Sequence, residues 1–500
     1  MTAGRTVAAV DLGAESGRVV AATFDGAKLH LDVEGRFANG ATVAADGLLR
    51  WDVDTLWTHV ADLLAALAAH TPVASVGVDT WGVDYGLLAA DGSLVDQPTC
   101  YRDPRQARAM REAVARIGAD RLYGAAGIQT MEINTVFALM DDAAHTDRLD
   151  RAQTLLMIPD VFHHLLSGTR VTESTAASTS GLYRSDTRAW ATDVAEALGI
   201  PARLFPEVVD PGTDLGPVTG ALADRGLAGT RVITPTGHDT AAAVVGTPFA
   251  TPGGLFISSG TWSLMGVERD TPLITPGTLA ANLTNEGGYA DTTRLLRNVM
   301  GLWVLQECRR QWAAEGHDLD YAEIAELAAA EPALRSIVNV NAQDFLAPGD
   351  MPARIRAYCA RHGDPVPEGV GAVARCVVDS LALAYRLTAE DVAAVTGQAP
   401  ASVNVTGGGA NHRLLAQATA DATGLPVHCG PVEATALGNA GVQLISLGEL
   451  SDLADLRRVV AASTELRTHE PRPDDRWDAA AARLRDLVER DDHARGLRGP

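Results

Sequence analysis

Four short stretches carry residues able to do chemistry. In "AAVDLGAESGRVV" an apolar run closes on Asp11, passes Gly13, Ser16, Gly17 and Arg18, and resumes as a second apolar run. Glycine N–H groups with Ser and Arg donors form a nest that can hold phosphate oxygens. Asp11 would repel phosphate but suits Mg²⁺, directly or through water. The same residues also read as a glycine-containing hairpin with a solvated Asp. In "GHDTAAAV", Asp239 can take a proton from a substrate hydroxyl or cap the helix that the alanines begin; the residues alone favour the cap. In "DTWGVDYG", Asp79 and Asp84 bracket Trp81 and Gly82. Aromatic faces beside carboxylates suit a polyol, and a strand end with a buried Trp fits equally. In "GGGANHRLL", Gly407, Gly408 and Gly409 follow a strand and open a helix, where N–H groups favour a polar ligand. Close packing against a neighbour explains the same glycines. The pattern is not G-x-G-x-x-G, and no acid ends the next strand, "LPVHC", so a dinucleotide fold is not expected.

Several classes of function are excluded. Lys28 is the only lysine and lies in a hairpin-like stretch. A Walker P-loop, a protein kinase and a pyridoxal enzyme each need a lysine in another context. Phosphate handling would therefore rest on backbone amides, arginine, metal and small hydroxyls. A net charge of −22 disfavours nucleic acid and anionic membranes as partners. The five cysteines are scattered without Cys-x-x-Cys, as in reduced cytoplasmic thiols. His163 and His164 are adjacent, point apart on a helix and read as structural or surface residues. No apolar run reaches bilayer length, and "MTAGRTVAAVDLG" lacks a signal-peptide layout. A cytoplasmic location is expected.

The elements that must position these residues fall into two cycles. "TVAAVDLG", "RVVAATF" and "KLHLDVEGRF" read as a β-meander. "DVDTLWTHVADLLAALAAH" has helical spacing, and "VASVGVDTWGVDYGLLAADGSLV" is a strand with a Gly- and Asp-bearing break. Residues 104–200 look mostly helical around a polar interlude, "VTESTAASTSGLY", and 201–235 look loop-like. A second cycle starts near 232. "VITPTGHDTAAAVVGTPF" is strand, turn and small-residue helix, and "GGLFISSGTWSLMGVERD" is strand, turn and strand. A 500-residue chain exceeds one core, and the repetition suggests duplicated α/β domains meeting near 240–250. A long amphipathic helix ends at Gly397, and a charged helix closes the chain.

The order of these stretches resembles the actin-like ATPase superfamily, and within it the FGGY carbohydrate kinases. "VDLGAESGRVV", "VGVDTWGVDYGLL", "YRDPR", "SSGTWSLMG", "NVMGLWVLQ" and "GPVEATALGNAGVQL" are similar to rhamnulokinases and run from residue 7 to about 445. The resemblance implies an α/β fold of two actin-like (ribonuclease H-like) domains, 1–245 and 246–500, with an inter-domain active-site cleft. It implies transfer of the γ-phosphate of ATP to the 1-hydroxyl of L-rhamnulose; kinases of L-fuculose or L-xylulose, and a non-catalytic actin-like nucleotide-binding protein, are the alternatives. Carried over residue by residue, Asp239 is the general base. His238, Thr240, Gly82 and Asn298 meet the sugar. Ala14, Glu15, Ser16, Gly17, Arg18, Thr261, Gln306, Gly408 and Gly409 serve ATP, and Asp11 organises Mg²⁺. Glu15 departs from relatives with Ser there; its N–H can serve while its side chain faces solvent. The implied partners are a sugar and ATP, with no nucleic acid or membrane, in a monomer or small homo-oligomer.

Overall fold

The computed structural model describes residues 4–494. They form two compact units that are discontinuous in sequence. The first comprises residues up to Pro248 with Glu268–Leu295 and Ala434–Thr464; the second comprises Phe249–Val267, Leu296–Glu433 and the chain from Glu465 onward. The compact units therefore interleave along the chain on either side of 245/246. Segments 268–295 and 434–464, which that division assigns to the second half, pack into the first unit.

The first unit is built on a six-stranded sheet in the order Asp214–Pro217, Arg231–Ile233, Ser75–Thr80, Arg5–Leu12, Ser16–Phe24, Leu29–Ala38. The expected meander is present, with Arg5–Leu12, Ser16–Phe24 and Leu29–Ala38 antiparallel. Ser75–Thr80 and Arg231–Ile233 add in parallel. Alternation along a strand sends successive side chains to opposite faces. Ala8, Val10 and Leu12 share a core with Leu56, Val60, Leu64 and Leu67, four of the six buried residues of helix Val53–His70. Those four recur at helical spacing, and Asp52 caps the helix by accepting from Thr55 N at 3.0 Å. Val7 and Ala9 take the other face, with Ala436, Leu437 and Ala440 of helix Ala434–Ser446.

Helix Ala434–Ser446 also lies unusually close to helix Asp239–Val245. A Cβ on Gly438 would stand 1.9 Å from Ala242 O, and one on Gly246 would stand 2.1 Å from Ala434 O. Only two glycines allow this approach, and it ties segment 434–464 to the first unit.

In the second unit, five strands run in the order Trp262–Arg269, Leu255–Ser259, Val403–Thr406, Val427–Cys429, Arg467–His469. Leu255–Ser259 and Trp262–Arg269 are the expected strand–turn–strand. Helix Gly369–Thr396 ends on Gly397 at φ 70°, where the left-handed conformation favours glycine. The closing helix, Arg476–Ala494, buries Trp477, Leu484 and Leu487.

One expectation, for residues 201–235, needs correction. The polar interlude is buried: Thr172, Glu173, Thr175 and Ser178 are almost inaccessible, because Glu173 accepts from Thr175 N and Oγ1 and Ala176 N at the start of helix Ser174–Ser178. Polarity there marks internal hydrogen bonding rather than solvent. Segment 201–235 is not merely loop, since it supplies two sheet strands. The run "VASVGVDTWGVDYGLL" splits into Ser75–Thr80 and Tyr85–Leu88. Among the described residues, no helix is long and apolar enough to cross a membrane.

The close helix contact sets a test. Gly438→Ala overpacks a site walled by backbone and is expected to cost about 3 kcal/mol, read as a lower urea midpoint for the first unit. Gly40→Ala, where an added Cβ meets nothing within 4 Å, is expected to leave the midpoint unchanged.

Candidate functional site

Asp11 and Asp79 are direct partners in the parallel pairing of Arg5–Leu12 with Ser75–Thr80, so their carboxylates emerge on the same face. That face is the one covered by helix Ala434–Ser446, whose polar side chains form a ladder against it. Ser75 Oγ donates to Gln443 Oε1 at 2.7 Å, and Gln443 Nε2 donates to Ala8 O at 3.1 Å and Asn439 Oδ1 at 2.6 Å. Asn439 Nδ2 in turn donates to Asp79 Oδ2 at 2.5 Å and Gly77 O at 3.2 Å. Asp79 is fully buried and its Oδ1 has no hydrogen-bond partner. Burial, then the charge of Asp11, pushes its pKa well above the ordinary carboxylate range.

Asp239 arrives beside this pair by a backbone route. Thr80 N donates to Gly237 O at 2.9 Å, and Thr80 bridges in parallel to His238. Glu173 Oε2 accepts from Gly237 N at 2.8 Å, anchoring the turn from below. Asp239 is the first residue of its helix and His238 occupies the cap position without a side-chain capping bond. The cap reading of Asp239 therefore does not hold. Its Oδ1 accepts from Thr240 N at 2.5 Å and Thr240 Oγ1 at 3.2 Å. Burial raises its pKa; the nearby His238 opposes the shift and Asp11 adds to it.

Arg18 meets Asp11 directly, donating to Oδ2 from Nε at 2.9 Å and Nη2 at 2.7 Å. The residue expected on phosphate and the residue expected on metal are thus one ion pair. The turn between them is tied by Gly13 N to Ser16 O and by Asn39, which donates to Gly13 O and Glu15 O. Ala14 is half-buried, and Glu15 and Ser16 are exposed. Gly17 is buried beneath Phe37, 2.4 Å from where a Cβ would stand. That glycine answers to packing.

His238 is buried between two groups of partners. Its Nε2 lies 3.4 Å from Asp239 Oδ1 and 3.1 Å from the position a Cβ on Gly82 would take. Its Nδ1 faces Arg294 and Glu286 at 3.2 and 3.3 Å. Gly82 belongs to a three-residue turn in which Asp84 N donates to Gly82 O around Val83 at φ 67°. Such a turn is strained for a β-branched residue. It is held by Val83 N donating to Thr179 Oγ1 and by Thr135 Oγ1 on Val83 O. Asp84 faces inward, accepting at Oδ2 from Trp51 Nε1 (2.6 Å), Trp81 Nε1 (2.9 Å) and Tyr101 N (3.2 Å). Burial outweighs those donors and pushes its pKa up to about 7.

In the second unit, Thr261 lies in the turn between Leu255–Ser259 and Trp262–Arg269, where Leu302 N and Trp303 N donate to Gly260 O and Thr261 O. Gln306 follows on helix Trp303–Ala314 with a buried Oε1 that has no partner. Asn298 is half-buried on strand Thr293–Met300. The triple glycine does not open the helix directly. A 3₁₀ turn, Gly408–Asn411, comes first, and His412 caps Arg413–Thr423 by accepting from Leu415 N. Cβ atoms on Gly407 and Gly409 would collide with Ser259, whereas one on Gly408 would meet nothing. Packing accounts for two of the glycines and leaves Gly408 exposed.

Asp11 is paired with Arg18 and Asp79 is driven towards its neutral form, so the three carboxyl groups do not all carry charge. Among the described residues no cluster of three or more His, Cys, Asp or Glu is placed to hold a metal by itself.

Residues 6–246 match the N-terminal domain of the FGGY family of carbohydrate kinases, and residues 255–447 match its C-terminal domain. The chain belongs to this family. Over 485 residues it is 41% identical to a rhamnulokinase from Bacteroides thetaiotaomicron, covering 96% of this chain and 99% of that one. It is 39% identical to a rhamnulokinase from Enterococcus faecalis over 479 residues, 94% of this chain and 95% of that one. Two solved structures share the fold. Ligand-bound xylulose kinase from Lactobacillus acidophilus has a TM-score of 0.77 at 17% identity, covering 99% of this chain and 98% of that one. Plasmodium falciparum glycerol kinase with ADP has a TM-score of 0.77 at 14% identity, covering 97% and 98%. The fold is the two-domain FGGY kinase fold.

Sequence reading did not single out Glu173, Glu286, Arg294 or Asn439 in this FGGY kinase. Glu173, Arg294 and Asn439 sit far in sequence from the residues they hold, and nothing local marks any of the four.

Asp84 yields a pH prediction. Its folded pKa near 7 exceeds the ordinary value, so its favourable contribution is complete below pH 4 and is lost as pH rises towards 7. Asp84→Asn removes that dependence. Urea midpoints at pH 4 and pH 7.5 should show the variant gaining on the wild type at the higher pH; a constant difference would mean that Asp84 does not titrate in this range.

Proposed function

We propose that this kinase transfers the γ-phosphate of ATP to the 1-hydroxyl of L-rhamnulose, giving L-rhamnulose 1-phosphate and ADP in L-rhamnose breakdown. The observation that carries the chemistry is the state of Asp239. Oδ1 is engaged by Thr240, the side chain is partly exposed, and the raised pKa suits a base. The substrate rests on the rhamnulokinase relatives and on the Trp81–Gly82 turn against His238. L-Fuculose and L-xylulose are the competing sugars, and a cytoplasmic location goes with this reading.

In this mechanism Asp239 Oδ2 takes the proton of the 1-hydroxyl. The resulting oxygen bonds to the γ-phosphorus as the bond to the bridging oxygen breaks and ADP leaves. His238, Thr240, Gly82 and Asn298 position the sugar. Ala14, Glu15, Ser16, Gly17 and Arg18, with Thr261, Gln306, Gly408 and Gly409, serve the nucleotide. The Ser16 side chain and Gly408 are open to solvent, as such contacts require. Asp11 would hold Mg²⁺, whose charge offsets that of the phosphates. Alignment and charge neutralisation are most of what phosphoryl transfer needs.

A panel of ketoses assayed with ATP and Mg²⁺ tests the substrate. L-Rhamnulose should have the highest kcat/KM, and a higher value for another sugar overturns the assignment. Asp239→Asn should lower kcat by about 10³-fold while ATP binding, measured calorimetrically, persists. Turnover near wild type would remove Asp239 as the base.

A further inference from the structure

Two charged residues stand behind the proposed sugar-binding histidine. Arg294 has no accessible surface, and its partner Glu286 is almost as deeply buried. Arg294 Nε donates to Gly287 O at 2.8 Å, which fixes the guanidinium plane on strand Thr284–Gly287. Nη2 lies 3.2 Å from Glu286 Oε2 and 3.2 Å from His238 Nδ1 in hydrogen-bond geometry. Burial tends to raise the pKa of Glu286, but the Arg294 charge opposes it, and the carboxyl lies below its ordinary value. The pair is therefore ionised. Burying two charges is costly unless geometry is well satisfied, so such a pair directly behind a site residue calls for an explanation.

The chemistry of the donors supplies one. A guanidinium has five N–H donors and no acceptor. Hydrogen bonding between Arg294 Nη2 and His238 Nδ1 thus requires Nδ1 to accept. A neutral imidazole that accepts at one nitrogen carries its proton on the other. Glu286 Oε2 stands 3.3 Å from Nδ1 outside hydrogen-bond geometry, whereas the Arg294 N–H meets it. The proton then lies on Nε2, the nitrogen that faces Gly82 and Asp239.

We propose that Arg294, held by Glu286, is a positioning residue that locks His238 as the Nε2–H tautomer, making it a fixed hydrogen-bond donor to the sugar beside Asp239. The donor either meets a substrate oxygen or steadies Asp239 Oδ1, 3.4 Å away. In both cases Asp239 Oδ2 is kept for the hydroxyl proton. Arg294 acts through His238 and touches no substrate. This inference rests on the sugar-kinase reading for its catalytic meaning, but the tautomer itself does not.

A double-variant cycle on the full chain tests it. Arg294→Gln should lower kcat/KM for L-rhamnulose by about 10²-fold with KM for ATP unchanged. Arg294→Lys, which keeps a donor, should recover part of the loss. In a His238→Gln background, Arg294→Gln should cost nothing further; an additive loss overturns the proposal, because a merely structural role would not depend on His238. The paired variant Glu286→Gln/Arg294→Gln leaves no lone buried charge. It covers the case in which Arg294→Gln fails to fold, and it should show the same dependence on His238. Independently of any substrate, ¹⁵N spectra of histidine-labelled protein, with His238 assigned by His238→Gln, should show a single Nε2–H tautomer in the wild type and a mixture in the paired variant. An Nδ1–H ring in the wild type overturns the inference whatever sugar is used. If no ketose is phosphorylated while the Nε2–H signal is present, the functional reading fails and the tautomer assignment stands.

Discussion

Three carboxylates share one end of a sheet, and much of the first unit is arranged around that crowding. Parallel register alone aligns Asp11 with Asp79. The bond from Thr80 N to Gly237 O brings Asp239 to the same edge. In water such proximity costs little, but in a buried setting like charges cannot all ionise freely. The protein resolves the conflict in parts. Arg18 neutralises Asp11. Burial drives Asp79 towards its protonated form, with Asn439 donating to its other oxygen. Asp239, its pKa also raised, remains partly exposed.

The supports for this arrangement come from distant parts of the chain. Helix Ala434–Ser446 reaches the sheet only because its neighbour, Asp239–Val245, can touch it glycine to backbone. One contact therefore sets both the ladder under Asp79 and the height of Asp239. On the other side, Glu173 holds Gly237 N and Arg294 holds His238. A buried ion pair contributes little net stability; here its contribution is direction, since a guanidinium held at Nε and Nη2 leaves the imidazole one way to hydrogen-bond.

The glycines divide by the same physical test. Gly17, Gly407 and Gly409 are small because a neighbour occupies the space a side chain would need. Gly408 has open space beside it. Glycine-rich turns thus mix packing and access, and adjacent glycines in one motif can serve different ends.

Much of this was legible in the sequence because it is local. The meander, the helix at 53–70 and the helix ending at Gly397 follow from periodicity and turn chemistry. The missing lysines removed whole classes of phosphate chemistry. The order of Asp11, "DTWGVD", "GHDT" and "SSGTW" pointed to the FGGY kinases, which residues 6–246 and 255–447 match. The sequence could not show that "VTESTAASTSGLY" is buried, because the same hydroxyl residues suit a solvated loop and an internal hydrogen-bond network. Nor could it choose between cap and base for Asp239. Where the helix begins relative to His238, and which oxygen Thr240 engages, are set by the fold. Glu286 and Arg294 look like ordinary surface charges in "NEGGYADTTRLLR". Only the tertiary structure decided that they are buried behind His238, because burial depends on what the rest of the chain packs over a residue, and no local pattern records that.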